Sequence, residues 1–330
     1  MAHQISTPDA VIARRAAKQL GLISRRQALA AGLDRNQIQY RLRSERWTAV
    51  AAAVYRLDGV PGSWQQDILA ACLSLGRDAV ASHLSAGALW SICLATSPPH
   101  VTVLPGTSAR SPCGVIHRGD LRPRDRTRIG PIPVTSLPRT LLDCAALTTG
   151  SPLHDMVDAA MAGGRTSLRA MDELLGRAPI RGREGAARRS LMAALEPWMT
   201  PIKPESPAEV RLLRRLGEWG VPAPTLQHEV RSPDGRLLGR LDLAWVASHV
   251  GVEYDGMAWH GPRRIEADEL RHQALRRAGW TVLHADRLDL RPGVDRLANE
   301  ILDALHRTPQ RRTALETGPV DSTAVQARWC

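Results

Sequence analysis

Three carboxylates and a histidine are gathered near the end of this chain: Asp242, Glu253 and Asp255, followed by His260. Leu241 to Val246 alternates apolar side chains around Asp242, an Ala-Ser-His bend follows, and Val250 to Asp255 reads as a second strand that stops at Gly256. Successive side chains on a strand take opposite faces, so Glu253 and Asp255 share one face while Val252 and Tyr254 take the other. Register decides whether Asp242 joins the acids. If it does, the patch stays ionised only where cations, hydrogen bonds or a bound metal offset the mutual repulsion. A divalent ion is the economical answer, because oxygen ligands suit Mg²⁺ or Mn²⁺ and a neighbouring imidazole can activate water or steady a phosphate. The metal ligands would then be Asp242, Glu253 and Asp255. A structural hairpin with solvent-facing acids satisfies the same spacing, so both readings stand at this point.

The elements that would position these groups can be read outward from them. Ser206 can cap a helix that opens at Pro207 and runs through Leu216, with Glu209 in its first turn, where a negative charge suits the helix dipole. Gln227 to Arg231 and Leu237 to Val246 flank the turn Ser232-Pro-Asp-Gly235 as a hairpin. Ile265 to Ala278 has helical periodicity, with Asp268 and Arg271 one turn apart, and Gly279 ends it before a strand from Trp280 to Ala285. Residues 293–307 read as a closing helix, and 308–330 as a disordered tail.

Helix, strand, acid-bearing strand, Glu-x-acid strand, helix, strand resembles the core order of PD-(D/E)XK nucleases. The run Asp255-Gly-Met-Ala-Trp-His260, with Glu266-Ala-Asp-Glu-Leu-Arg271 and Arg277-Ala-Gly-Trp-Thr-Val-Leu283, resembles very-short-patch repair endonucleases and the related domain of unknown function 559, over roughly residues 204–305. That resemblance implies a restriction-endonuclease-like αβββαβ core and Mg²⁺-dependent hydrolysis of DNA. It implies Asp242 as the metal-binding aspartate, Glu253 as a second acid, His260 as the catalytic histidine, Glu209 as the helix acid and Asp268 as the partner of His260. One position departs from the pattern. Where the (D/E)XK triplet ends in lysine, this chain has Asp255, and its only lysines are Lys18 and Lys203. Lysine would position water and offset transition-state charge; short-patch enzymes also lack it and use histidine.

Residues 7–58 are punctuated like a winged helix-turn-helix. Thr7 can cap a helix with Pro8 at its first position, Ser24-Arg-Arg-Gln27 reads as a capping box, and Asp34 can cap a third helix from Arg35 to about Glu45. On that third helix Ile38 and Leu42 point inward, leaving Arg35, Asn36, Gln39, Tyr40 and Arg43 outward. With Arg25 and Arg26 these are residue types that grip phosphates or read base edges, so DNA contact is expected at Arg25, Arg26, Arg35, Asn36, Gln39 and Arg43. Gly21-Leu-Ile-Ser-Arg-Arg-Gln-Ala-Leu-Ala-Ala-Gly32, Arg46-Trp47 and Val54-Tyr-Arg-Leu57 resemble the N-terminal domain of AbiEi-type antitoxins, which implies a repressor-like DNA-binding module and a toxin or other protein as a further partner.

Helices are expected at Ser63 to Gly76 and at Ser82 to Trp90, the latter capped by Ser82, followed by strands at His100 to Leu104, Cys113 to Arg118 and Ile132 to Thr135 and a helix from about Ser136. His83 and His117 have no second ligand at helical spacing and read as structural. Three more helices, around 152–162, 168–175 and 184–198, precede the proline-rich stretch Met199 to Pro207.

A chain of 330 residues is long enough for two or three domains. The division expected is 1–60 winged helix-turn-helix, 61–198 α+β companion, 199–206 linker, 207–307 nuclease-like and 308–330 tail: a multidomain α/β protein. A net charge of +11 favours polyanions such as DNA, although almost all of it is arginine, which codon usage alone can enrich. Five scattered cysteines with no Cys-x-x-Cys pair read as reduced thiols, and no apolar run approaches membrane-spanning length, so a cytoplasmic location is expected. The sequence leaves a DNA-binding regulator with an inactive nuclease fold as the alternative.

Overall fold

The computed structural model describes residues 7–107, 114–162, 164–199, 206–254, 262–286, 288–290 and 295–307, with the backbone alone at 207 and 262–267. It is a mixed α/β protein with three sheets, in two compact units, 1–210 and 211–330.

The first unit begins with α1 (Pro8–Ala17), β1 (Leu22–Ser24), α2 (Arg25–Ala30), α3 (Arg35–Arg43), β2 (Trp47–Ala51) and β3 (Val54–Leu57). Local sequence accounts for the helix starts. Thr7 accepts from the Ala10 N–H, and Ser24 and Asp34 each complete a reciprocal capping box with Gln27 and Gln37. Ile12, Ile23, Ala28, Ile38, Trp47 and Tyr55 form the small core beneath these helices. β1 was not expected from its three residues; it adds to β3 so that the sheet runs β1-β3-β2. Leu22 and Val54 face a different cluster, that of Ile68, Leu69 and Val101, and the buried Gln66 donates 2.5 Å to the Leu20 carbonyl. The first sixty residues therefore share a core with residues 68–134.

Next come α4 (Trp64–Leu75), β4 (Val80–Ala81), α5 (His83–Leu89), β5 (His100–Val103), β6 (Val115–Arg118), β7 (Arg126–Ile129), β8 (Ile132–Thr135) and α6 (Leu137–Ala145). The five strands form one mixed sheet in the order β6-β5-β4-β8-β7. β4 and β7 escaped sequence reading because one is two residues long and the other, Arg-Thr-Arg-Ile, lacks an apolar face. The expected Ser82 cap is absent: its hydroxyl bonds Thr102 and His83 instead. α7 (Ser151–Ala162), α8 (Leu168–Leu175) and α9 (Gly182–Leu195) pack with α6 around Leu141, Val157, Met171 and Leu191.

The division between units falls within α10 (Pro207–Glu218). The second unit continues with β9 (Thr225–Arg231), β10 (Leu237–Trp245), β11 (Val250–Tyr254), α11 (Pro262–Arg277), β12 (Thr281–Ala285) and α12 (Arg296–Arg307). The sheet order is β12-β11-β10-β9, antiparallel except for the parallel β11–β12 pair, which needs the α11 crossover. Val250, Val252, Leu243 and Trp245 pack with Leu212, Leu216 and Ile301, whereas Leu241, Ala244 and Trp280 pack with Leu275 of α11. Leu241 and Leu243 thus join different clusters although only one residue separates them. The strict alternation is interrupted at Asp242.

Gly251 is required at that crowding. A Cβ there would lie 2.4 Å from Cδ1 of the fully buried Leu241. Gly251→Ala should therefore destabilise the second unit by about 1–3 kcal/mol through overpacking. Urea unfolding followed by tryptophan fluorescence reads the effect; an unchanged midpoint would show that Leu241 has room to move.

Candidate functional site

The second sheet brings its chemistry together at Glu253. This carboxylate is buried on the α11 side of β11. The β10–β11 register pairs Leu243 with Val252, which brings Asp242 to the adjacent strand beside Glu253 and Tyr254, and the parallel register pairs Glu253 with His284. α11 supplies the rest. Asp268, Arg271, His272 and Leu275 follow the i, i+3, i+4, i+7 spacing of one helix face, and Leu275 anchors that face on the sheet.

Arg271 forks onto the carboxylate, Nη1 donating 2.6 Å to Oε1 and Nη2 donating 2.8 Å to Oε2. His272 Nε2 lies 3.0 Å from Oε2, and its ring meets His284 edge-on at 4.9 Å between centroids. Burial by itself would lower the Arg271 guanidinium; the hydrogen bonds and charge of Glu253, with the charges of Asp268 and Asp242, raise it above its ordinary value. The repulsion between neighbouring acids is thus offset by arginine. The same group could hold a metal ion, because Glu253, His272 and His284 each offer a ligand atom within 4.8 Å of the other two.

Asp242 is held by the strand edges. Its Oδ2 accepts the Tyr254 N–H at 2.8 Å and its Oδ1 accepts from Gln227 Nε2 at 3.3 Å. Gln227 has φ 49, the left-handed region, where Asp242 breaks the alternation of β10. Asp268 Oδ1 lies 3.7 Å from Arg271 Nη2, an ion pair within the helix. Glu209 is buried in the first turn of α10, where its Oε1 accepts from the Ser206 hydroxyl at 2.9 Å while Ser206 accepts the Glu209 N–H, which is a helix-capping arrangement. Asp255 and His260, and with them the expected pairing of His260 with Asp268, lie outside the described residues. His272 and His284 were missed in the sequence. No short-range ligand spacing joins a mid-helix histidine to one on a later strand; the face shared by Asp268, Arg271 and Leu275 was the only local signal for His272.

At the other end of the chain, α3 turns Arg35, Asn36, Gln39, Tyr40 and Arg43 to solvent and buries Ile38. Arg26 is exposed and Arg25 half-buried. Arg41 is committed elsewhere: it pairs with Asp9 at 2.7 Å and lies over Trp47, tying α3 to α1 and the first sheet.

His83 and His117, read from sequence as isolated, are neither isolated nor arranged like ligands. Their rings stack 3.5 Å apart, and His117 Nε2 lies 2.9 Å from His100 Nδ1. Burial, then the neighbouring imidazoles and Arg183, lower His83 to about 2 and His117 to about 4.

No protein-family model matches this chain, and no curated protein matches it. No helix among the described residues is long and apolar enough to cross a membrane.

The stack makes stability pH-dependent. A histidine whose folded pKa is depressed contributes stability above its unfolded value, near 6.5, and that contribution is lost as pH falls towards the folded value. Acidification from about pH 7 to about pH 4 should lower the melting temperature, and His117→Gln should reduce that loss. Parallel melting curves with equal pH slopes for both proteins would contradict the assignment.

Proposed function

We propose that the chain is a DNA-binding protein whose second unit hydrolyses DNA phosphodiester bonds with a divalent metal. The observation that carries this reading is the convergence on Glu253 of His272 and His284, with Arg271 beside them and Asp242 on the adjacent strand. The order α10-β9-β10-β11-α11-β12 supports the resemblance to PD-(D/E)XK nucleases. Two imidazoles and a carboxylate suit a borderline ion such as Zn²⁺ better than Mg²⁺ or Mn²⁺, which prefer oxygen ligands. Such an ion would supply a Lewis acid and an activated water. Glu253, His272 and His284 would hold it, and Asp242 would fix the strand edge against Tyr254. Arg271 matches phosphate as well as carboxylate, so its fork can be handed from Glu253 to the DNA backbone, which makes it a candidate for the positive charge that the missing lysine would bring. The exposed face of α3, with Arg25 and Arg26, is the proposed grip on DNA, in the manner of a winged helix-turn-helix.

Purified full chain should nick or cleave plasmid DNA with Mn²⁺, Zn²⁺ or Mg²⁺, and Glu253→Gln and Asp242→Asn should each abolish this. Failure to cut single-stranded, duplex or supercoiled DNA with any of the ions, or cutting by the variants at the wild-type rate, would overturn the enzymatic reading. DNA affinity forms a separate prediction. Arg35→Ala and Arg43→Ala should each weaken binding and reduce the salt slope by about one for each phosphate no longer gripped, with little dependence on sequence. Filter binding over a salt series measures it, and unaltered slopes would remove α3 from the interface.

One observation favours a second reading, a DNA-binding regulator with an inactive nuclease-like unit. Both oxygens of Glu253 are engaged by Arg271. On that reading DNA binding persists while neither Mn²⁺ nor Zn²⁺ raises the melting temperature, whereas the metal site requires a rise that Glu253→Gln removes.

A further inference from the structure

The first unit contains a cavity of about 330 Å³ whose lining includes His83, His117, Arg118, Arg139, Asp143 and Arg183. Its size lies within the range of small-molecule sites. Several structural elements build it: His83 opens α5, His117 and Arg118 end β6, Arg139 and Asp143 lie one turn apart on α6, and Arg183 stands in the first turn of α9. Three guanidiniums face it against two carboxylates, Asp143 and Glu184. The N-terminal end of the fourteen-residue α9 adds the positive end of a helix dipole, and its N-cap residue makes no side-chain cap bond.

Two features point to a ligand with more than one chemical character. Arg139 Nε donates 2.8 Å to Asp143 Oδ1, but Asp143 Oδ2, on a residue only 5 % exposed, is buried with no hydrogen-bond partner among the described residues. Burial pushes this carboxyl up to about 6 against the pull of Arg139, and its second oxygen lacks a donor among the described residues. Arg183, an exposed residue, forms no ion pair among the described residues. The wall between these groups carries the stacked imidazoles of His83 and His117, which are uncharged at neutral pH. Guanidiniums and a helix N-terminus suit a phosphate, flat neutral rings suit a planar base, and an orphan carboxylate oxygen suits an N–H or amino donor on that base.

We propose that this cavity is a binding site for a nucleoside 5′-monophosphate, with Arg183 and Arg139 on the phosphate side and Asp143 accepting from the base. The site is independent of the acid cluster in the second unit, so its failure would leave the nuclease reading intact.

Isothermal titration of the full chain with AMP, GMP, CMP and UMP, and with ribose 5-phosphate and inorganic phosphate as controls, tests it. At least one nucleotide should bind more tightly than both controls. Arg183→Ala, at an exposed position, should weaken that nucleotide by about tenfold or more, the size of one lost charge-assisted hydrogen bond. Asp143→Asn should reduce the preference for the nucleotide over ribose 5-phosphate; circular dichroism checks that the variant is folded, and Arg183→Ala decides the question if it is not. Binding of none of the nucleotides, affinity equal to that for inorganic phosphate, or indifference to Arg183→Ala would each overturn the proposal.

Discussion

The second unit is organised by the problem of burying a carboxylate. Glu253 sits on the central strand pair, with Asp242 on the adjacent strand and Arg271, His272 and His284 around it. An ionised carboxylate removed from water costs several kcal/mol unless fully hydrogen-bonded and paired. The two-point fork of Arg271 and the His272 contact meet that requirement, which binds α11 to the sheet at a polar point as Leu275 binds it at an apolar one. A sheet held together this way has a charged site as a condition of its fold. The proposed chemistry would draw on the same side chains that hold the sheet to α11.

The first unit solves a comparable problem differently. Its buried acids are distributed over several contacts: Asp125 takes the Arg177 fork, Asp158 accepts from the Trp198 indole, and Asp143 takes Arg139 on one oxygen only. The first two are met in ways that hold helices in place. The third, on the wall of a cavity, is met on one oxygen only among the described residues.

Much of the architecture could be read from the chain. Caps at Thr7, Ser24 and Asp34 work through bonds over three residues, so local sequence contains both donor and acceptor. The hairpin of β9 and β10 and the helix that crosses to β12 were legible through turn residues and periodicity. The outward face of α3 followed from helical spacing around Ile38. The elements that were not legible lacked a local pattern: β1 and β4 are too short for one, and β7, Arg-Thr-Arg-Ile, has no apolar face.

The strands that carry Asp242 and Glu253 were within reach of sequence, but the register between them was not, because strand alternation fixes faces along one strand and leaves the pairing open. Nor was the cation that answers these acids. Arg271 and His272 reach Glu253 across a helical crossover and His284 through a parallel pairing, contacts between residues 18 to 31 positions apart whose closeness depends on how α11 lies on the sheet. The histidine stack is of the same kind, with His83, His100 and His117 arriving from a helix and two strands. Sequence determined which groups were available and the face each would take on its own element. Only packing decided which of those faces meet, since a helix or strand pattern specifies direction about its own axis and carries no record of its neighbour.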